Sequence, residues 1–164
     1  MKYADGPVAE GSVHVDAPPE RVWELVSDIH LVASLSSEVQ SVEWLDGAER
    51  AALGCAFLGH SMHPAAGEWT TTSRIVRCEA PREFGWDVED PDNPTASWRF
   101  ELTPRDGGTE VRQWARMGPG RSNLNRAIDA MPEKEERIVA GRLREWQAGI
   151  EANLAAIKVR AEAP

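Results

Sequence analysis

From about Glu133 to about Ala161 the chain carries one unbroken amphipathic pattern. Ile138, Leu143, Trp146, Ile150, Leu154 and Ile157 recur at steps of three, four and five, which is a single apolar stripe down a helix. Glu135, Glu136, Arg137, Arg144, Glu145 and Glu151 fall opposite and read as a solvated surface. At about 1.5 Å per residue this helix reaches roughly 40 Å. Its stripe must lie against a partner of comparable length, so the rest of the chain has to supply one.

The preceding residues supply extended segments. Val39–Leu45, Leu53–Met62 (with Phe57 and Leu58) and the threonine-rich Trp69–Cys78 suit strands. In Glu83–Glu89, Phe84, Trp86 and Val88 alternate with Glu83, Gly85 and Asp87. Trp98, Phe100 and Leu102 alternate with Ser97, Arg99 and Glu101, and Val111, Gln113, Ala115 and Met117 share one side of the next segment. Asp46-Gly47, Pro64–Gly67, Ala80-Pro81 and Asp90–Pro94 separate these runs, and Asp106-Gly107-Gly108 predicts a tight hairpin. Ahead of them, Glu10–Ala17 reads as a strand closed by Pro18-Pro19. Pro19–Asp28 then reads as a helix with Val22, Trp23, Leu25, Val26 and Ile29 on one side, and Leu31–Leu35 as a second short helix. Leu124–Met131 is a further short helix, with Pro132 at the start of the long one.

This order predicts an α+β chain. A curved antiparallel sheet of about seven strands wraps the long C-terminal helix, with one or two short helices after the first strand. A curved sheet need not close tightly on its helix, and the space left between them is a concave apolar pocket of the kind that holds small molecules. The chain of 164 residues fits one domain, 1–164, with its core over about 10–158.

Charge and motif content narrow the function classes. Lys and Arg number 18 against 27 Asp and Glu, a net charge of -9, with no basic cluster, so neither nucleic acid nor an anionic membrane surface is an expected partner. No apolar run approaches the roughly 20 residues of a membrane span, and Met1–Pro7 lacks a signal peptide's apolar stretch. A cytoplasmic location is expected. Cys55 and Cys78 lack zinc-site spacing and read as small buried hydrophobes, bridged only if their strands are neighbours. No phosphate loop, Rossmann glycine pattern, nucleophile elbow or Ser-His-Asp order is present, and no cofactor is expected. Abundant alanine and arginine with little lysine suggest a GC-rich bacterial source.

Taken together, Val13-His14-Val15-Asp16-Ala17-Pro18-Pro19-Glu20-Arg21-Val22-Trp23-Glu24-Leu25-Val26-Ser27-Asp28 resembles the START-like (SRPBCC) superfamily, in its bacterial polyketide cyclase/dehydrase-like branch. The resemblance is extended by Leu53-Gly54-Cys55-Ala56-Phe57, Gly67-Glu68-Trp69-Thr70-Thr71, Phe84-Gly85-Trp86, Trp98–Leu102 with Gly107–Val111, and Asn153-Leu154 with Ile157-Lys158. It implies a helix-grip fold with an internal cavity for lipids, polyketides or similar hydrophobic molecules. It implies no single activity, because a fold does not decide function.

Strand parity places Phe84, Trp86, Val88, Trp98, Phe100, Leu102, Val111, Gln113, Ala115 and Met117 on the concave face. Seven tryptophans against one tyrosine is a heavy indole load, fit either for an aromatic core or for a cavity wall. The expected ligand-binding residues are Phe57, Trp69, Phe84, Trp86, Trp98, Phe100, Gln113 and Met117. Asn125 and Met131 are added where the short helix would overhang an entrance. Trp23 and Trp146 read as core, and Trp114 falls on the outer parity beside Arg112 and Arg116. Gln113, a polar side chain among inward neighbours, serves either a core network or a ligand. Arg99 and Arg116 point outward, and Arg74 has no clear direction. His60 and His63 read as loop histidines. A metal would need a third ligand, for which Glu68 is the only neighbour, and none is expected. His14 and His30 have less to recommend them, and Asp28 suits a cap.

The first functional reading is therefore a carrier of a hydrophobic small molecule. The alternative is a cyclase, aromatase or dehydratase using the same cavity, with His60, His63, Arg74 and Gln113 as candidate catalytic residues. A third is a protein-partner module or homodimer using Trp114 and the outer sheet face.

Overall fold

The computed structural model describes all residues, 1–164. The strands are β1 (Val8–Val15), β2 (Val39–Trp44), β3 (Ala56–His63), β4 (Gly67–Glu79), β5 (Glu83–Val88), β6 (Ala96–Arg105) and β7 (Gly108–Met117). The helices are α1 (Pro19–Val26), α2 (Ile29–Leu35), α3 (Asn123–Ala130) and α4 (Glu135–Glu162). The seven strands form one antiparallel sheet in the order β1-β7-β6-β5-β4-β3-β2, so the first two strands in sequence are its two edges. The pair α1–α2 carries the chain from one edge to the other, and α4 lies mainly along β1 while touching β7, α1 and α2. This is the helix-grip arrangement.

Local signals explain the boundaries. Pro19 opens α1, where its missing N–H costs nothing. Asp28 caps α2: its Oδ1 accepts from the N–H groups of His30 at 3.0 Å and Leu31 at 3.2 Å. Ser122 and Asn125 cap α3 reciprocally. The β6–β7 hairpin turns on Asp106 and Gly107, both with positive φ (48° and 78°), as a two-residue loop in a twisted ribbon requires.

Register then builds the core. On the concave face Phe84 pairs with Phe100, Phe100 with Gln113, and Gln113 with Gly11. Gly11 admits the helix: a Cβ there would lie 3.2 Å from both Ile150 Cγ2 and Leu154 Cδ1. Val22 and Val26 of α1 and Ile150, Leu154 and Ile157 of α4 close over Phe84, Phe100, Val15 and Val111. Burial of each such side chain is worth about 1.5–3 kcal/mol. A smaller cluster joins Tyr3, Met117, Ile128 and Val139.

Two details depart from simple alternation. In β4 the register shifts between Ile75 and Arg77, so Val76 is extra and Cys78, facing Phe84, turns inward. The N-terminal residues Tyr3–Asp5 form a 3-10 turn that buries Tyr3, whose hydroxyl donates to Gly120 O at 2.5 Å. Burial pushes the Tyr3 phenol up from its ordinary value, against smaller lowering influences from Ser122 and Arg121.

Candidate functional site

The indole and phenyl rings of the concave face join in one line. Trp23 of α1 meets Phe84 edge-on at 5.9 Å, and Trp44 of β2 meets Phe57 of β3 in the same way at 5.9 Å. Both phenyl rings reach Trp86, each at 5.9 Å. Trp86 stacks on Trp98 at 6.4 Å and 15°, and Trp98 abuts Trp146 of α4 at 5.0 Å. Such contacts add about 0.5–1.5 kcal/mol each beyond area burial. Phe84 and Phe100 are wholly buried, whereas Trp23, Trp44, Trp86, Trp98 and Trp146 keep part of their surface open.

A hollow of about 560 Å³ lies at one end of this line, between α1–α2 on one side and the end of β2, the loop after it and the β4–β5 turn on the other. Trp23, Ile29, Trp44, Ala51 and Cys78 form its apolar wall, and Glu24, Ser27, Asp28, His30, Glu49 and Arg50 its polar rim. Toward β1 and β7 the expected space between sheet and C-terminal helix is filled by side chains. Ile150, Leu154 and Ile157 of α4 pack into the main core, and Trp146 meets Trp98 directly. Helix α4 packs tightly on β1, where Gly11 has no side chain, while Trp86, Trp98 and Trp146 stay part-open on the helix-facing side of the sheet.

The expected lining residues divide accordingly. Phe84, Phe100 and Gln113 are core, and Gln113 Oε1 accepts from Asn153 Nδ2 at 3.3 Å, which makes it a network member. Met117 sits in the small cluster under α3, away from the hollow. Asn125 is buried with its Oδ1 accepting from Ser122 N at 2.7 Å, and Met131 is exposed; neither lines the hollow. Phe57 stands behind Trp44 as its buttress, and Trp69 is half-buried opposite Ser61. Trp23, read from its helical stripe as core, packs against the core and also walls the hollow, and His30 stands at the rim. A helix with two apolar flanks shows one periodicity, so sequence spacing did not separate the flank facing the core from the flank facing the hollow.

The four polar candidates stand apart. His60 pairs with Glu43, 3.7 Å away on the neighbouring edge strand. Arg74 is exposed and donates to Gly54 O at 2.7 Å. His63 belongs to a clasp that shares no residue with the hollow. Its Nδ1 accepts from Ala65 N–H at 3.0 Å, so its Nε2–H donates to Glu145 Oε2 at 2.8 Å. Arg142 completes the clasp, holding Glu38 at 2.5 and 2.8 Å and Glu145 at 2.8 Å. Burial draws the Arg142 guanidinium down, but the carboxylates of Glu38 and Glu145 outweigh it and its pKa is raised. Burial likewise opposes ionisation of Glu145, and the bonds from His63 and Arg142 outweigh it, holding the carboxyl below its ordinary value.

Glu38, His63 and Glu145 bring three donor atoms within 4.8 Å of one another, so the neighbours of His63 are these carboxylates and not Glu68. Arg142 already neutralises both, and the cluster is an ion-pair clasp. Cys55 and Cys78 are free and only half-buried. Burial, with a smaller contribution from Cys55, raises the Cys78 thiol, which keeps it protonated and a poor nucleophile.

A brace on the outer face supports the aromatic line from behind. Arg99 points outward as its parity predicts, yet it is buried, because it lies flat across Gly85. Its Nη2 bonds Asp87 at 2.9 Å, and its Nη1 donates to the carbonyls of Trp86 at 3.0 Å and Trp98 at 2.9 Å. The backbone that presents the stacked pair is thus tied from the far side. Trp114 is outward as expected, flanked by Arg99 and Arg112, with its Nε1–H donating to Glu101 at 2.7 Å. A shallow hollow of about 440 Å³ lies beside it.

Comparison with known proteins agrees with this architecture. The family described as polyketide cyclase / dehydrase and lipid transport matches residues 7–162. Among solved structures, a polyketide-cyclase-like protein of Corynebacterium glutamicum is similar at 27% identity and TM-score 0.66, over 92% of this chain and 88% of that one. A protein of Thermus thermophilus matches at 16% identity and TM-score 0.66, over 94% and 97%. The di-domain ARO/CYC StfQ of the steffimycin biosynthetic pathway matches at 17% identity and TM-score 0.71, over 94% of this chain and half (50%) of that one. The latter two likenesses show the fold alone. No curated protein matches, and no helix is long and apolar enough to cross a membrane.

Proposed function

The chain belongs to the polyketide cyclase/dehydrase and lipid-transport family, and from that premise we propose that it binds a hydrophobic small molecule in the hollow under α1–α2. The observation that carries this reading is the pairing of a roughly 560 Å³ space with two half-open indoles, Trp23 and Trp44. Such a volume lies within the usual range for small-molecule sites, about 300–1,000 Å³, which are apolar with a few polar groups. Trp44 rests on Phe57 and Trp23 on Phe84, so both walls stand on rigid core rings. Cyclase chemistry would need acid–base groups converging on that space. His60, His63, Arg74 and Gln113 do not line it, and the groups that do, Glu24, Asp28, His30 and Glu49, are exposed at its rim rather than set into its indole wall, so binding is the reading favoured.

A thermal-shift and tryptophan-fluorescence screen with apolar and aromatic compounds tests it. A ligand present at about 100 times its Kd stabilises by about 2.7 kcal/mol, or roughly 5–11 °C in Tm for a chain of this size. The response should vanish in Trp44→Ala. Absence of any stabilising compound, together with native mass spectra free of co-purified ligand, would refute the reading.

A further inference from the structure

We infer that the hollow selects an apolar or aromatic body carrying a protonated amine, and discriminates against carboxylates such as fatty acids. The inference rests on the hollow being the ligand site and adds the charge class of the ligand. Its rim carries three carboxylates, Glu24, Asp28 and Glu49, against one guanidinium, Arg50. Only Glu24 has a basic side-chain partner among them apart from histidine: Arg21 Nη1 lies 3.3 Å from its Oε2. Asp28 has only His30, with Nδ1 4.0 Å away, and spends one oxygen capping α2. Glu49 is in no ion pair. Against Arg50 and Arg21 the three carboxylates leave the mouth one negative charge in excess, within a chain of net charge -9.

Below this rim the wall is indole. A cation held near indole is favoured by the ring quadrupole, while an anion is not. A carboxylate entering the hollow would stand beside three like charges and one guanidinium, Arg50, all of them exposed. An ammonium group would meet Asp28 and Glu49 at the mouth while its apolar body covered Trp23 and Trp44. Both influences, rim charge and wall chemistry, point the same way.

The test is a matched series of one shape and three charges: naphthylmethylamine, naphthylmethanol and naphthoate, followed by tryptophan quenching and calorimetry. The expected order is amine, then alcohol, then acid, with the amine favoured over the acid by roughly tenfold or more. The preference should shrink as salt rises through about 0.1 M, where the Debye length is about 10 Å. It should fall to about twofold in Asp28→Asn/Glu49→Gln; asparagine caps a helix as well as aspartate, so α2 is retained.

Equal binding of all three compounds, abolished in Trp44→Ala, would overturn the charge selection and leave the hollow as the ligand site. Tighter binding of the acid, or an amine preference unchanged in the double variant, would overturn it as well. If none of the three binds, the charge selection is overturned, while the binding reading stands or falls on the wider screen and the native mass spectra.

Discussion

Arg99→Met gives the sharpest stability test of how the aromatic line is held. Its side chain is 9% exposed and that of Asp87 12%, so the pair is almost fully removed from water. Removing the guanidinium leaves the Asp87 carboxylate without its cation and the Trp86 and Trp98 carbonyls without its two donated bonds. Breaking a buried pair from one side costs about 3–5 kcal/mol. Unfolding entropy near 2.1 cal/mol/K per residue, over 164 residues, converts each kcal/mol to about 3 °C, so Tm should fall by about 9–15 °C. Asp87→Leu/Arg99→Met removes both charges, and most of that loss should return, with a coupling of about 2 kcal/mol or more. Urea melts of the four proteins measure the cycle, and near-ultraviolet circular dichroism reports the stacked indoles. A single-variant loss under about 1 kcal/mol, or strictly additive losses, would show that the pair neither anchors the sheet nor fixes Trp86 and Trp98.

Three further outcomes follow from named contacts. Glu145 titrates below its ordinary 4.5 in the folded state, so its stabilising contribution is present above that value and is lost as pH falls below it; Tm against pH should be flatter on the acid side in Glu145→Gln. Gly11→Ala places a Cβ 3.2 Å from Ile150 and Leu154, and forcing α4 off β1 should cost about 1–3 kcal/mol in denaturant melts. Tyr3→Phe removes the bond to Gly120 O and leaves a buried carbonyl short of a donor, which should lower stability by about 1–2 kcal/mol.

Much of the fold was legible because parity and helical spacing are local. Alternation in Phe84–Val88 and Trp98–Leu102 identified the inward side chains, and Asp106-Gly107 identified the hairpin, as the register shows. The extra residue at Val76 escaped, since nothing in Arg74–Cys78 announces that Cys78 will turn inward. Tyr3 escaped as well: its burial depends on Gly120 and Ile128, far along the chain. The hollow is lined by residues from α1, α2, β2, the loop after it and the β4–β5 turn, a convergence of distant segments that no local periodicity carries. The clasp joins Glu38 and His63 to α4 across separations of 104 and 82 residues, where single-sequence patterns are silent.

At the level of Glu145 and Gln147, α4 is held from both flanks. Gln147 exchanges bonds with the backbone of Glu10 on the β1 edge, while Arg142 and Glu145 secure Glu38 and His63 from the opposite edge. The sheet is therefore buckled shut around the helix at this girdle, whereas the α1–α2 end has no such fastening across the hollow. Local opening is expected to concentrate at that end, so amide exchange should be fastest there. On the proposed binding reading, the way in would be the parting of α2 from the loop after β2, with the buckled end left intact.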